Sequence, residues 1–191
     1  MLINPWMKKY LGLALACALG TASLTGCGGN GSGTPSGNGN AGGVTIGVTS
    51  FADTLEPTEQ YFSWVVSRYG IGETLVRFDE TGELTPCLAE NWSISDDQLT
   101  WTFQIREGVK FSNGDDMTPE MVKASLERTF EKSDRAATFF DPASITVDGQ
   151  NLMITTKEPV AILPGSLADP LFLIVDTNVD DSTFAMQGPI C

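Results

Sequence analysis

The chain contains no histidine in 191 residues. That absence excludes Ser-His-Asp and Cys-His nucleophile systems, histidine-ligated zinc and a neutral-pH imidazole switch. Positive charge is also scarce, with 11 Lys and Arg against 24 Asp and Glu and a formal net charge of −13. An acidic surface repels phosphate backbones, so nucleic acid is not expected as a partner. The four cysteines, Cys17, Cys27, Cys87 and Cys191, form no CxxC pair, which argues against a structural zinc site. A GxSxG elbow is missing too, and a hydrolase reading therefore lacks both a histidine and a nucleophile elbow. The apolar stretch of residues 10–24 is too short to serve comfortably as a permanent membrane span. With 41% hydrophobic and 18% charged residues, the chain reads as globular.

Lys8 and Lys9 precede that apolar stretch, which is the layout of a secretory signal. The stretch runs into Leu24-Thr25-Gly26-Cys27, which resembles the bacterial lipobox, where cleavage leaves a lipidated cysteine at the new N-terminus. Residues 28–43 are almost entirely Gly, Ser, Asn, Thr and Pro, a composition that buries no core and behaves as a tether. The expected organisation is a lipoprotein signal over 1–26, a lipidated Cys27 with its tether over 27–43, and a globular body over 44–191. Loss of residues 1–26 removes two lysines and no acid, so nine cations face 24 acids and the charge becomes −15. An anionic membrane surface repels such a body, so the lipid and not charge must hold it.

Within the body, residues 44–48 (VTIGV) read as a first strand after the tether. Residues 61–69 carry Phe62, Val65, Val66 and Tyr69 at helical spacing, closed by Gly70 and Gly72. Residues 75–78 read as a strand followed by a turn. The clearest pattern is Leu99, Trp101, Phe103 and Ile105 alternating with Thr100, Thr102 and Gln104, a half-buried strand that pairs back on residues 92–94. Thr118-Pro119-Glu120 supplies an N-cap, a proline at the first helical position and an acid in the first turn. That helix is expected to run to about Phe130, with Met121, Val122, Leu126 and Phe130 as its apolar stripe. Residues 145–147 and 152–155 flank Asp148-Gly149, another hairpin signal. Strands and helices alternate irregularly, which gives a mixed α/β body rather than a regular βαβ array.

The motifs Leu88-Ala89-Glu90-Asn91-Trp92, Leu99-Thr100-Trp101-Thr102-Phe103, Ile105-Arg106-Glu107-Gly108-Val109-Lys110-Phe111 and Asn113-Gly114 stand in one line. They run into Thr118-Pro119-Glu120-Met121-Val122 and Ser125-Leu126-Glu127-Arg128. This block, with the early Leu55-Glu56-Pro57, resembles the family 5 extracellular solute-binding proteins, which serve peptide and nickel ABC importers. The resemblance extends over residues 44–191. It implies the N-terminal portion of a bilobal, venus-flytrap fold of the periplasmic-binding-protein type. It further implies a monomer without cofactor that closes on a solute by hinge motion, makes or breaks no bond, and delivers the solute to ABC permease subunits. The family pattern continues past Cys191, so the chain is expected to be an N-terminal piece of a longer protein.

The signature block itself reads as architecture, with Trp101, Phe103 and Phe111 in the core and Arg106 and Lys110 as solvated or paired surface charges. The resemblance directs ligand contacts instead to Gln60, Tyr61 and Trp64, along the cleft, and to Arg135, whose guanidinium could pair a solute carboxylate. Trp64 equally suits a helix core position, and Arg135 equally suits a surface pair with Asp134 or Asp141. Asp96-Asp97, Asp115-Asp116 and Asp180-Asp181 sit in turns, lack metal-ligand spacing and read as solvated loops. Cys87 and Cys191 stand where the family has other residues, which suggests a mutual disulfide in an oxidising compartment; the alternative is two independent free thiols. The function implied is capture of a short peptide, or of nickel in an organic chelator, by a lipoprotein on the outer face of the bacterial membrane or in the periplasm. The other class compatible with the residues is a surface-anchored structural or adhesive lipoprotein without a transport role.

Overall fold

A four-stranded antiparallel sheet and one long helix form the centre of the body. The computed structural model describes Gly47 and residues 53–187, which all belong to one unit, Thr45–Cys191. The signal, the tether, Cys27 and Cys191 lie outside the described residues, as does the expected first strand apart from Gly47.

Helix α1 (Phe62–Arg68) forms where helical spacing predicts it. Gly70 and Gly72, at φ +73° and +85°, end it in a conformation that side chains resist. Strands β1 (Val76–Phe78) and β2 (Leu84–Pro86) make a short hairpin, in which Asp79 caps the turn by accepting from the Thr81 and Glu83 amides. Strand β3 (Ala89–Ile94) pairs with β4 (Thr100–Ile105), placing Trp92 opposite Phe103 and Ile94 opposite Trp101. The turn between them needs a positive φ, +59°, at Gln98. Strands β5 (Pro142–Asp148) and β6 (Asn151–Thr156) form the second hairpin, and the sheet order is β3-β4-β6-β5.

Helix α2 (Pro119–Lys132) starts at Thr118, whose hydroxyl accepts from the Met121 amide at 3.3 Å, and extends two residues past the expected end. Val122 and Leu126 on this helix are fully buried, as are Phe103, Leu152 and Ile154 on the sheet. Each such side chain stabilises the fold by roughly 1.5–3 kcal/mol relative to an exposed one. Trp101, expected in the core, is only half-buried, and its indole N–H donates to the Val160 carbonyl at 3.0 Å.

The apolar run at 171–175 is neither helix nor sheet strand. It leaves the short helix α3 (Leu163–Ser166) through a 3-10 turn, Pro170–Phe172, and continues as buried backbone. Ser125 of α2 clasps it, accepting from the Val175 amide at 2.9 Å and donating to the Leu173 carbonyl at 3.4 Å. Phe172 meets the rings of Phe130, Phe139 and Phe140 at centroid distances of 5.5–5.8 Å. The chain then enters helix α4 (Asp181–Gln187).

Candidate functional site

The turn at residues 54–61, ahead of α1, is held by two arginines, one within α2 and one just after it. At its start, Thr54 Oγ1 accepts from the Glu56 amide at 3.1 Å, and Glu56 Oε1 accepts from the Thr58 amide and hydroxyl at 3.0 and 2.6 Å. These bonds turn the Glu56 carboxylate inward. Arg128 meets it with two donors, Nη1 to Oε1 at 3.1 Å and Nη2 to Oε2 at 2.6 Å, with both side chains 8% exposed. The remaining face of Arg128 is used as well. Nε donates to Asp181 Oδ1 at 2.8 Å, and the guanidinium carbon lies 4.5 Å from the Phe184 ring centroid.

Asp181 also takes Lys132 Nζ at 2.5 Å, which gives alternating charges along Glu56, Arg128, Asp181 and Lys132. Burial pushes the Glu56 carboxyl up, but the Arg128 guanidinium and the Thr58 donors outweigh it, and the carboxyl lies below its ordinary range. Lys132 and then Arg128 hold Asp181 below its range against burial. Burial alone would lower Arg128; its two carboxylate partners raise it instead. The cluster is charge-balanced and ties the turn to α2 and α4, with Arg128 buried between its two carboxylates.

The second arginine is different. Arg135 follows α2 and reaches the other end of the same turn, where Nη1 donates to the Gln60 carbonyl at 3.0 Å. Its guanidinium carbon lies 4.7 Å from the Tyr61 ring centroid, and Nη2 approaches Ser63 Oγ at 3.4 Å. Its acidic neighbour is Asp169 Oδ1 at 3.7 Å, fixed in place by the Leu171 amide at 2.9 Å. Arg135 Nε is buried and has no hydrogen-bond partner among the described residues. Such a donor costs about 1–3 kcal/mol. Gln60 adopts φ +47°, a left-handed conformation that costs a side-chain-bearing residue roughly 1 kcal/mol or more. Tyr61 is 71% exposed beside this strained pair.

Gln60, Tyr61 and Arg135, three of the four candidate ligand contacts, are therefore in mutual contact. Trp64 stands one turn further along α1, 47% exposed, so it is not a core residue; the aromatic partner of Arg135 is Tyr61. Neither Asp134 nor Asp141 pairs Arg135, since Asp141 takes Lys157 at 3.2 Å and the counterion is Asp169. Arg106 pairs Glu90 and Lys110 pairs Asp116 at the surface, as expected. The reading of Asp180-Asp181 as a solvated loop is corrected. Asp180 caps α4 by accepting from the Ser182 amide, and Asp181 joins the Arg128 cluster. Cys87 carries a free thiol 3.6 Å from Glu73 Oε1, and burial followed by that carboxylate pushes the thiol up. The other end of the expected bridge, Cys191, lies outside the described residues.

A depression of about 480 Å³ adjoins the Arg135 cluster, lined by Ser67, Arg77, Phe78, Ala168 and Pro170 among others. Ser67 lies one helical turn beyond Ser63 on α1, and Ala168 and Pro170 flank Asp169 in sequence, while the residues of the cluster itself do not line the depression. Sequence reading missed Ser63, Asp169, Glu56 and Arg128. Asp169-Pro170 carries a cap-and-proline signal that could have placed the acid at a turn, although nothing local points it to Arg135.

An arginine with an unmet donor, an exposed aromatic ring and a flanking depression on a rigid α/β scaffold define a surface suited to a small anionic or zwitterionic solute. Residues 83–191 match the bacterial extracellular solute-binding proteins, family 5 middle, and the chain belongs to that family. It is 32% identical over 118 residues to the nickel-binding protein NikA of Staphylococcus aureus, covering 62% of this chain and 24% of that one. It is 30% identical over 133 residues to the glutathione-binding protein GsiB of Escherichia coli K12, covering 66% and 26%. Among solved structures, a nickel ABC transporter protein from Bacillus halodurans superposes with TM-score 0.63 at 40% identity, covering 67% of this chain and 27% of that one. Staphylococcus aureus NikA in complex with Ni(L-His)2 superposes with TM-score 0.59 at 31% identity, covering 66% and 26%. The chain spans about a quarter of the length of the curated relatives it matches.

Proposed function

We propose that the chain belongs to the substrate-binding lipoprotein of an ABC importer and contributes one wall of the solute site. The observation that carries this reading is Arg135, held over the exposed Tyr61 ring with a buried Nε that has no partner. A guanidinium in that state gains from a carboxylate, and aromatic surface beside it favours an organic solute. The solute is a short peptide, or nickel carried in an organic chelator. Both present carboxylates, and the absence of histidine from these 191 residues leaves nickel coordination to the chelator or to a further lobe of the protein. The relatives' names, which include nickel and glutathione, support this class. Residues 1–26 act as the export signal, Cys27 as the lipid attachment point, 27–43 as the tether and 44–191 as part of the solute-binding body. No covalent step is involved; capture and delivery to the permease are the whole activity.

The experiment is thermal stabilisation by glutathione and by nickel with L-histidine, each at millimolar concentration because a single wall leaves much of a bound solute in water. A solute that binds only the folded chain raises its melting temperature. Arg135→Ala should abolish the rise with the stabilising solute. A rise of equal size in wild type and Arg135→Ala contradicts the reading.

A further inference from the structure

Two unfavourable features meet at one contact. Gln60 is held at φ +47°, and its carbonyl accepts from Arg135 Nη1 at 3.0 Å. In the same pose Arg135 leaves Nε buried without a partner. The far end of the turn is clamped independently, because Glu56 is fixed bidentately by Arg128. Helix α1 begins at Phe62, and its N-cap, Tyr61, makes no side-chain capping bond, so among the described residues the Arg135 clamp is what secures that end by side chain. One end of the turn is thus fixed by a buried ion pair, whereas the other is held at a cost in backbone strain and an unmet donor.

Resting on the solute site proposed above, we infer that Arg135 is a two-position residue: a solute carboxylate draws its guanidinium off the Gln60 carbonyl, and Gln60 then leaves the left-handed region. Gln60 is thereby a positioning residue, acting through its backbone. The strain it holds in the empty state is relieved on capture and adds to affinity. Solute arrival becomes a movement of residues 59–61 against the fixed Glu56–Arg128 pair. The exposed Tyr61 ring, now stacked on the guanidinium, is displaced with it.

Glycine at position 60 keeps the carbonyl and removes the strain, which favours the clamped, empty state. Gln60→Gly should therefore weaken glutathione binding on the order of fivefold and raise the melting temperature of the empty chain. The matched control is Gln98→Gly, which relieves the same kind of strain, at φ +59°, in the β3–β4 turn. It should stabilise the chain without changing glutathione affinity. Amide and arginine side-chain NMR titrations with glutathione supply both readouts. Saturation should move the Gln60 Cα shift out of the left-handed range together with the Arg135 Nε–H signal. An unchanged dissociation constant in Gln60→Gly, with binding still lost in Arg135→Ala, overturns the coupling and leaves the site intact. Wild-type affinity in Arg135→Ala overturns the site itself.

Discussion

Two arginines separated by seven positions illustrate how context sets the role of a residue. Arg128 is saturated by Glu56 and Asp181, so it acts as a structural tie. Breaking a buried, hydrogen-bonded pair by neutralising one partner leaves the other charge exposed to its desolvation cost. Glu56→Gln should therefore lower stability by about 3 kcal/mol at pH 7, read as a shift of the urea midpoint at constant slope. The pH dependence follows from the same geometry. The Glu56 carboxyl lies below its ordinary value of 4.5 and Asp181 below 3.8 in the folded state. The stability they contribute is complete above those ordinary values and is lost as pH falls through the lower folded ones. Urea midpoints measured from pH 7 down to pH 3 should drop steeply at the acid end in wild type and less so in Glu56→Gln. Parallel curves for the two proteins contradict the assignment.

Among the elements, α2 joins the greatest number of parts: the sheet through Val122 and Leu126, the turn before α1 through Arg128, and the buried run through Ser125. Ser125→Ala removes the acceptor for the Val175 amide, and a buried N–H without a partner costs about 1–3 kcal/mol. Amide exchange at Val175 should accelerate in that variant, while exchange in β4 changes only by the global loss of stability. Equal protection at Val175 in both proteins rules out the clasp.

The hairpins and the start of α2 were legible in the sequence because their determinants are local. Alternation over residues 99–105 and Thr118-Pro119 act within a few positions. Glu56 and Arg128 stand 72 positions apart, as do Ser63 and Arg135, and periodicity carries no information over that distance. Asp181 looked like a loop acid because its neighbours in sequence are polar, whereas its partners arrive from α2. Of the candidate site, Gln60, Tyr61, Trp64 and Arg135 came from family resemblance. The strain at Gln60 and the unmet donor of Arg135, on which the proposed site rests, could be seen only in three dimensions.

At the scale of the whole molecule, the proposed architecture is a lipid anchor, a tether of low complexity and an acidic body whose solute surface lies on and beside α1. The anchor is tested by Cys27→Ala in the complete precursor. Fatty-acid labelling should vanish and residues 1–26 should remain attached; a mutant labelled as strongly as its parent removes the lipoprotein reading. The more central claim is that the body carries its solute surface at Arg135. Glutathione and nickel with L-histidine, titrated separately into the 15N-labelled chain, locate the binding surface residue by residue. The account requires the shifts to concentrate at residues 60–64, at Arg135 and at 168–170, with the groove between α2 and β5 (Glu120, Lys123, Thr146) left unmoved. Shifts centred on that α2–β5 groove, with Arg135 and Tyr61 silent at saturation, would contradict it.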